Sequence, residues 1–297
     1  MSERCGFIAV VGAPNAGKST LVNALVGQKV AIVSPKAQTT RARLMGIAIE
    51  GESQILLLDT PGIFAPRRRL DRAMVAAAWE GARDADLIAL VIDAETGLNR
   101  GVTELIDRLK DRAEPKLLIF NKVDLVRKET LLTLIAQTEG RAAFEDIYMV
   151  SATTGDGMAM FKSALAARMP EGPWHFPADQ VSDATDRMIA AEITREQLYL
   201  QLHAELPYDS AIETEKYDER PDGSVAIHQQ ILVARDSQKA IVLGKGGARI
   251  KAIGAAAREE LGRELGRKVH LFLHVKVNPR WSDDRGLYRE IGLDWVE

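Results

Sequence analysis

Residues 12–19 read Gly12-Ala13-Pro14-Asn15-Ala16-Gly17-Lys18-Ser19. An apolar segment typical of a strand, 7–11, precedes them, and a helical pattern over 18–26 follows and ends before Gly27. A glycine-rich turn between a strand and a helix is the context of a phosphate-binding loop. Glycines let backbone N–H groups point at a pyrophosphate, and the N-terminus of the helix adds positive potential. We therefore expect residues 12–19, with Thr20, to bind phosphates.

Two side chains of this loop have specific expected roles. The Lys18 ammonium would reach the β- and γ-phosphates of a nucleotide, and the Ser19 hydroxyl would bind Mg²⁺. A second motif, Asp59-Thr60-Pro61-Gly62, follows the apolar run 55–58, at the end of a strand where open α/β sheets bind ligands. We expect Asp59 to help hold Mg²⁺ and the Gly62 N–H to sense a γ-phosphate.

Two further motifs indicate which base is bound. Asn121-Lys122-Val123-Asp124 follows the apolar strand 117–120, and the Asp124 carboxylate could accept both N–H groups on one edge of guanine. A polar site built for such donors rejects a base that lacks them. Ser151 and Ala152 follow the run 147–150 and offer a backbone N–H to the guanine carbonyl. Four motifs in this order predict a GTP-binding protein, and the signatures of protein kinases are missing.

The first half of the sequence predicts an α/β fold. Strand-like runs alternate with helical patterns, except that 44–50 and 53–58 are joined by a short turn typical of a hairpin. This order favours a doubly wound, mostly parallel sheet with one antiparallel edge strand. The predicted strands are 7–11, 44–50, 53–58, 86–92, 116–120 and 146–151, and the predicted helices are 18–26, 67–83, 101–112, 128–138 and 157–168.

Length and composition are those of a chain with two domains. The 297 residues are 46% hydrophobic and 27% charged, which are ordinary globular values. A single cysteine, Cys5, excludes an internal disulfide and suits the reducing cytoplasm. No apolar run approaches the ~18 residues that span a bilayer. Prolines at 170, 173 and 177 predict a stiff linker over 171–185 between domains 1–170 and 186–297.

The second half is organised around another glycine motif. A helix over 186–205, strands 210–217 and 225–234, a short helix 238–243 capped by Ser237, a longer helix from 248 and a strand 269–277 are predicted. This is the element order of a type II K-homology (KH) domain, with its core at 198–279 and the loop Gly244-Lys245-Gly246-Gly247 between its paired helices. KH loops of this kind clamp the backbone of single-stranded RNA.

Charge supports that interpretation, although the whole chain has a net charge of −3. Residues 235–268 contain nine basic and four acidic residues, a local net charge of +5. We expect two helix N-termini and bare glycine N–H groups at the loop, with Lys245, Arg249 and Lys251 around it as cations. Apolar side chains at 241, 242 and 250 would line a groove for unstacked bases.

Taken together, the motifs resemble the Era family of bacterial GTPases over nearly the whole chain. The resemblance rests on the phosphate loop, on Gln38-Thr39-Thr40-Arg41, and on the DTPG, NKVD, SAT and GKGG motifs. It implies a GTPase that assists assembly of the small (30S) ribosomal subunit and binds the 3′ end of 16S rRNA. It also implies GTP or GDP and Mg²⁺ as ligands. We expect a cytoplasmic monomer, and the family adds peripheral association with the inner membrane.

The expected catalytic residues are Lys18, Thr40, Gly62 and Asn15. Thr40 is the preferred switch hydroxyl for Mg²⁺, and Thr39 is the alternative. Ile63 stands where Ras-like proteins have a glutamine that orients the attacking water, so slow intrinsic turnover, roughly 10⁻⁴–10⁻² s⁻¹, is expected. In similar GTPases the residue matching Asn15 helps to hold K⁺; a polar loop residue that bonds its own backbone is the other interpretation.

Three alternatives remain open at this point. Arginines near the switches, at 41, 43 and 67–69, resemble arginine fingers, but a charge run is more typical of a solvated or RNA-facing surface. GTP could be a structural ligand of an RNA-binding adaptor. The RNA could also be a tRNA or another RNA instead of 16S rRNA.

Overall fold

The computed structural model describes residues 2–36, 39–41, 44–202, 206 and 208–296. The chain divides into two compact units. The first unit comprises the residues up to Ala31 together with Thr40–Asp183, and the second comprises Ile32–Thr39 together with the residues from Ala184. Gln38 and Arg43, which belong to the sequence patterns above, lie outside the described residues.

A six-stranded sheet forms the centre of the first unit, in the order β2-β3-β1-β4-β5-β6. Only β2 is antiparallel to its neighbour. Every residue of β3, β4 and β5 is buried, which is typical of strands covered on both faces. The strands are β1 (Arg4–Gly12), β2 (Leu44–Glu50), β3 (Ser53–Asp59), β4 (Leu87–Asp93), β5 (Lys116–Asn121) and β6 (Asp146–Met149).

Helices cover both faces of this sheet, which confirms the predicted doubly wound fold. One core packs apolar residues of α1 and α5 on the sheet, and the other packs residues of α2, α3 and α4. These helices are α1 (Lys18–Val26), α2 (Arg69–Arg83), α3 (Arg100–Lys110), α4 (Lys128–Thr138) and α5 (Met158–Arg168). The strand register aligns the parallel strands, and the four nucleotide motifs begin along one edge, at the carboxyl ends of β1, β3, β5 and β6.

The proline-rich segment that predicted a stiff linker is packed on the first unit as far as Asp183. Gln54 Oε1 accepts hydrogen bonds from the backbone N–H groups of His175 (2.9 Å) and Phe176 (3.1 Å). Ile47 in β2 donates its N–H to Val181 O at 2.8 Å. An edge strand has unpaired backbone groups, and this segment supplies partners for some of those on β2.

The second unit has the order helix, two strands, two helices and strand that the KH interpretation predicts. Its sheet has the order β7-β8-β9, with β7 antiparallel and β9 parallel to β8. Apolar residues of all three helices form cores on one face of the sheet. The elements are α6 (Asp186–Gln201), β7 (Ser210–Glu219), β8 (Val225–Val233), α7 (Asp236–Leu243), α8 (Ala248–Glu264) and β9 (Val269–Val277).

Helix ends in this unit differ from the predicted ones. Helix α7 begins at Asp236, so Ser237 is inside it and not its cap. Gln238 Oε1 instead accepts the N–H groups of Ala234 (2.9 Å) and Arg235 (3.1 Å). A further helix, α9 (Arg285–Glu290), was not predicted; Asp284 caps it by accepting the Gly286 N–H at 2.8 Å.

The segment Ile32–Thr39 is hydrogen-bonded to α6. Val33 N–H donates to Glu196 Oε1 at 2.8 Å. Lys36 Nζ donates to the carbonyl oxygens of Tyr199 and Leu202, at the C-terminal end of the helix. A lysine at this position is favourable, because a cation can donate to the last carbonyls of a helix and interacts well with the negative end of the helix dipole. As regards membranes, none of the helices in the described ranges combines the length and apolar character needed to cross a bilayer.

Candidate functional site

The loop between β1 and α1 has the backbone of a phosphate cradle. Gly17, immediately before α1, has φ 89°, and Asn15 has φ 63°. Both values lie in the left-handed region, which glycine and asparagine adopt most readily. A Cβ atom on Gly17 would also lie 2.3 Å from Asn121 Nδ2. Glycine is therefore required here for backbone conformation and for close approach.

Lys18 is buried inside this loop. Its Nζ donates to Gly12 O (3.2 Å) and Ala13 O (3.0 Å), and only 6% of the residue is exposed. Burial lowers the pKa of Lys18 to about 8, and the nearby carboxylate of Asp59 opposes the shift. A phosphate anion would stabilise the charged form of this poorly hydrated ammonium, so the buried lysine favours binding of a phosphate.

Three side-chain oxygens converge beside the loop. Ser19 Oγ lies 2.7 Å from Asp59 Oδ2 and 2.8 Å from Thr40 Oγ1, and Thr40 Oγ1 lies 3.2 Å from the same carboxylate oxygen. Hydroxyl and carboxylate oxygens are the hard ligands that Mg²⁺ prefers, so these residues fit Mg²⁺. Thr39, the alternative to Thr40, donates its hydroxyl to Lys36 O at 2.8 Å.

The DTPG segment lies directly against the phosphate loop. A Cβ atom on Gly62 would be 2.9 Å from Pro14, and Ile63 N–H donates to Gly12 O at 3.0 Å. The Ile63 side chain is buried in an apolar core. The Thr60 hydroxyl donates to Val10 O at 2.8 Å, so it stabilises the strand, and a contact with nucleotide would have to come from its backbone. Pro61 is buried beside it.

Asn121 is the first residue of the base-reading motif, residues 121–124, and connects this motif with two other loops. Its Nδ2 donates to Ala16 O (3.0 Å) and its Oδ1 accepts the Ala152 N–H (3.1 Å). The Ala152 N–H, one of the backbone donors of the segment predicted to reach the guanine carbonyl, is therefore already hydrogen-bonded. The Ser151 side chain accepts the Thr154 N–H at 3.1 Å and is buried. Asp124, in the short 3₁₀ turn Val123–Leu125, has an exposed side chain that a base could cover.

One residue at this edge was not predicted from the sequence. Asp93, at the end of β4, accepts a hydrogen bond from Lys122 Nζ at 2.6 Å. Lys122 has φ 63°, an uncommon backbone conformation for lysine. The ion pair therefore helps to hold the backbone of the base-reading motif. An acidic residue at a strand end was the available signal, but it has no defined spacing from the other motifs.

The arginines considered as fingers fall into two groups. Arg41 is buried, with 4% of its surface exposed, so it is not part of a solvated surface. Arg67 and Arg68 have exposed side chains, and their backbone N–H groups both donate to Asp71 Oδ2 at the start of α2. Their backbone is thus fixed in front of a helix, with the guanidinium groups on the surface.

In the second unit, the GxxG loop joins α7 to α8. Gly244, Gly246 and Gly247 have φ values of 69°, 61° and 77°. A Cβ atom on Gly244 would lie 2.8 Å from the Arg249 side chain, whereas one on Gly246 or Gly247 would meet nothing within 4 Å. The loop is therefore tight on the Arg249 side and open on the other, where a phosphate has room to approach.

Cations surround the open side. Lys245 and Lys251 are exposed, and the first turn of α8 has no acidic residue. Arg249 Nη1 donates to Ile241 O at 3.4 Å, near the end of α7. Our expectation of two helix N-termini here is wrong for the paired α-helices, because α7 ends at the loop and α8 begins after it; the loop itself forms a distorted 3₁₀ turn, Lys245–Gly247. One helix N-terminus with glycine N–H groups still favours anions.

The apolar groove also differs from the prediction. Ile241 is 46% exposed and can contact a ligand, but Val242 is fully buried and belongs to the core. Ile250 is half-buried and packs against the same core. Consecutive residues of a helix point about 100° apart, so 241 and 242 could not both face one groove.

Comparisons with known proteins agree with this architecture. A family described as a 50S ribosome-binding GTPase matches residues 7–122, and a KH-domain family matches residues 205–282. GTPase Era of Erythrobacter litoralis is 61% identical over 99% of this chain and 98% of that protein. GTPase Era of Rhizobium meliloti is 58% identical over 98% of this chain and 93% of that protein.

Two solved structures match both units. One is a variant of Aquifex aeolicus Era bound to GDP and AlF₄⁻, with a TM-score of 0.92, 36% identity, and 97% and 99% of the two chains covered. The other is Era in complex with MgGDPNP and nucleotides 1506–1542 of 16S ribosomal RNA, with a TM-score of 0.91, 36% identity, and coverage of 98% and 99%. With a phosphate loop, a guanine motif and a KH unit in one chain, this protein belongs to the Era family of GTPases.

Proposed function

We propose that this GTPase is a cytoplasmic, monomeric assembly factor of the small ribosomal subunit that binds the 3′ end of 16S rRNA. The observation that carries the proposal is the GxxG loop, which is open beside Gly246 and flanked by exposed lysines at the N-terminus of α8. A relative that is 36% identical was solved with nucleotides 1506–1542 of 16S rRNA. The RNA in that complex favours the small subunit, although the family matched by the first unit is described as 50S-binding.

The nucleotide site would hold GTP or GDP through its loop backbone and through Lys18, Asn121 and Asp124. Mg²⁺ would be held by Ser19 and Thr40, with Asp59 accepting from both hydroxyls. The metal supplies positive charge that neutralises the transferred phosphoryl group. The protein contributes a fixed loop, a buried ammonium and the Gly62 N–H, placed where charge develops.

Turnover should be slow without a partner, because Ile63 can neither donate nor accept a hydrogen bond through its side chain. We propose that K⁺ compensates in part and that Asn15 helps to hold it. Asn15 is exposed at the rim of the phosphate loop with a left-handed backbone. An amide oxygen on this loop is the type of ligand that a cation beside the phosphates would take, at the position where an arginine finger acts in other GTPases.

The buried Ile63 also favours a second candidate function. If hydrolysis is incidental, the chain is an RNA-binding adaptor for which GTP is a structural ligand. The two functions differ in their coupling to RNA. A switch changes its RNA affinity between GTP and GDP, and linkage then requires RNA to change the ratio of GTP to GDP affinity by the same factor.

The test is RNA affinity in three nucleotide states. The 3′-terminal segment of 16S rRNA and a shuffled RNA of equal length would be titrated with the GTP-analogue, GDP and nucleotide-free forms. The assembly-factor function predicts tighter binding to the 16S segment than to the shuffled RNA, and an affinity that depends on nucleotide. Equal affinity in all states supports the adaptor. Equal affinity for both RNAs, together with no accumulation of precursor 16S rRNA after depletion of the protein, contradicts the proposal.

A further inference from the structure

An exposed pair of stacked rings lies on the sheet of the second unit. The ring centroids of His228 and Phe272 are 4.5 Å apart, with 15° between the ring planes. The two residues are direct register partners on β8 and β9. Phe272 is 47% exposed. Burying a phenyl ring is favourable, so a half-exposed ring held in this position is a feature to be explained.

The alternation of side chains fixes the face on which this pair lies. Odd-numbered residues of β9 pack in the cores beneath α6, α7 and α8. Successive strand residues point to opposite faces, so the even-numbered residues His270, Phe272, His274 and Lys276 point away from the helices. Phe272 therefore belongs to a face that the three helices leave uncovered.

The stack has one open end. The register partner of His228 on β7 is Lys216, so the row across the sheet reads Lys216, His228, Phe272. In the described part of the chain, β9 is the last strand of this sheet. A planar group that packs against the outer side of Phe272 would extend the row beyond the sheet edge.

Charge along that edge favours an anionic chain. Lys276 is exposed on β9, and His270 and His274 share its face. Two carboxylates are close to the histidines: Glu215 Oε2 on β7 lies 3.8 Å from His274 Nε2, and Asp222 interacts electrostatically with His270. The segment before β9, residues 235–268, has a net charge of +5. Cations beside an exposed aromatic ring are the combination that binds single-stranded nucleic acid.

The edge is also continuous with the GxxG loop. Helix α8 starts at that loop and packs on β9, since a Cβ atom on Gly254 would lie 3.4 Å from Leu273 Cδ1. Gly254 is seven residues beyond Gly247, about 10 Å along the helix axis. Leu273 is the neighbour of Phe272, on the opposite face. A strand leaving the loop along α8 therefore reaches β9 on the helix-covered face, and it would pass around this edge strand to reach Phe272.

We propose that His228 and Phe272 form a stacking platform for an unpaired base of single-stranded RNA, outside the groove beside the GxxG loop. The proposal rests on the RNA binding proposed above. The platform would be sequence-tolerant, because every base has an aromatic face. It would lengthen the bound RNA beyond the four nucleotides that a KH loop clamps.

The experiment compares two RNAs and three variants. A four-nucleotide RNA fills the groove alone, and a twelve-nucleotide single strand can also reach the platform. Phe272→Ala should weaken binding of the longer RNA about fivefold or more, with the short RNA unaffected, and Phe272→Tyr should restore it. Leu200→Ala is the matched control, because Leu200 is also 47% exposed but lies on α6. This control should leave both affinities unchanged.

A second measurement locates the base directly. The longer RNA carries 4-thiouridine at successive positions, and crosslinked peptides are mapped after irradiation. Crosslinks to the peptide containing Phe272 support the platform. Absence of these crosslinks, or equal binding of the longer RNA by wild type and Phe272→Ala, overturns it and leaves the face to a protein partner. If the loop variant Lys245→Asp with Gly246→Asp also binds both RNAs normally, the proposed function fails independently.

Discussion

Asn121 Nδ2 lies 3.0 Å from Ala16 O, so the base-reading motif is tied to the middle of the phosphate loop. The other end of the same amide accepts the Ala152 N–H at 3.1 Å. One side chain therefore fixes three loops that the chain supplies from three different strand ends. Recognition of the base and recognition of the phosphates depend on a common set of hydrogen bonds.

Replacing Asn121 by alanine should therefore weaken the binding of both GTP and GDP, and it should also destabilise the first unit. The buried Ala16 carbonyl and the partly buried Ala152 N–H would lose their partner, and a buried group left unpaired costs about 1–3 kcal/mol. Nucleotide titration and chemical denaturation measure the two effects. Asn99→Ala is the control: Asn99 caps α3 through Val102 N–H at 3.1 Å, so its loss should cost ~1 kcal/mol with nucleotide affinity intact. Equal nucleotide affinities for Asn121→Ala and wild type would contradict the linking role.

Asp124→Asn should shift the preference from GTP to xanthosine triphosphate. The new amide presents a donor to the xanthine carbonyl that stands where guanine has its amino group. Competition titrations with the two triphosphates measure the ratio of affinities. Because Asp124 is exposed, the substitution should leave the free energy of unfolding nearly unchanged. Full retention of GTP affinity would show that Asp124 does not contact the base.

Hydrolysis should be faster in K⁺ than in Na⁺ at equal ionic strength, and Asn15→Ala should abolish the difference. The reason is that an amide oxygen at the rim of the loop can ligate the larger ion beside the phosphates. Single-turnover rates in the two salts provide the measurement. Asn23→Ala is a poor control because Asn23 bonds three backbone groups of the following loop; the exposed Thr153→Ala serves better. Identical rates in both salts for wild type rule out a role for potassium.

Nucleotide binding should take up a proton in alkaline solution. The pKa of Lys18 is about 8 without a ligand, because burial disfavours the ammonium. In the free protein, Lys18 loses its proton as pH rises through 8. Bound phosphates favour the ammonium and raise this pKa, so nucleotide binding above this pH must be accompanied by proton uptake. Calorimetry in two buffers of different ionisation enthalpy measures the number of protons taken up per nucleotide bound. We expect more than half a proton at about pH 8.5 and much less at about pH 7.5. No uptake at either pH would mean that Lys18 is already fully protonated in the free protein.

Substituting both Lys245 and Gly246 by Asp should abolish RNA binding and leave GTP affinity and intrinsic hydrolysis nearly unchanged. Two carboxylates would then face the phosphates at the N-terminus of α8. Each lost phosphate contact should flatten the salt dependence of residual binding by ~0.7 in log–log slope. Filter binding at several salt concentrations measures both quantities.

The matched control for that variant is Lys268→Asp with Gly266→Asp. It makes the same change in charge, and Gly266 also has a positive φ, 62°, with open space where a Cβ atom would lie. These residues lie beyond the other end of α8. Equal loss of RNA binding in both double variants would indicate a general effect of net charge. In that case the arginines near the switches would have to recognise RNA.

Much of the first unit could be predicted because its signals are local. Strands β3, β4 and β5 are buried on both faces, so they appear in the sequence as continuous apolar runs. Each motif follows such a run directly, and parallel strands bring their carboxyl ends to one edge. The roles of Thr39 and Thr40 remained open, because adjacent hydroxyls have the same pattern in sequence; the structure places only Thr40 beside Ser19.

The remaining features depend on tertiary contacts. Val242 looks like a groove residue in sequence, but the docking of α7 turns it into the core. Residues 171–183 contain prolines typical of a linker, but tertiary contacts hold the segment. Gln54 accepts two of its N–H groups, Ile47 in β2 donates to it, and Trp174 and Phe176 pack on the core around Cys5. Helix α9 has six residues, too few for helical periodicity to be recognised.

The attachment of Ile32–Thr39 to α6 has a consequence for dividing the protein into fragments. A cut after Asp183 separates the sequence into two pieces, but it leaves Lys36 on one piece and its acceptors, the carbonyls of Tyr199 and Leu202, on the other. The C-terminal fragment would then begin with a helix whose last carbonyls have lost this donor. A fragment of the second unit that keeps this contact must include residues 32–39, either fused to it or added as a separate peptide.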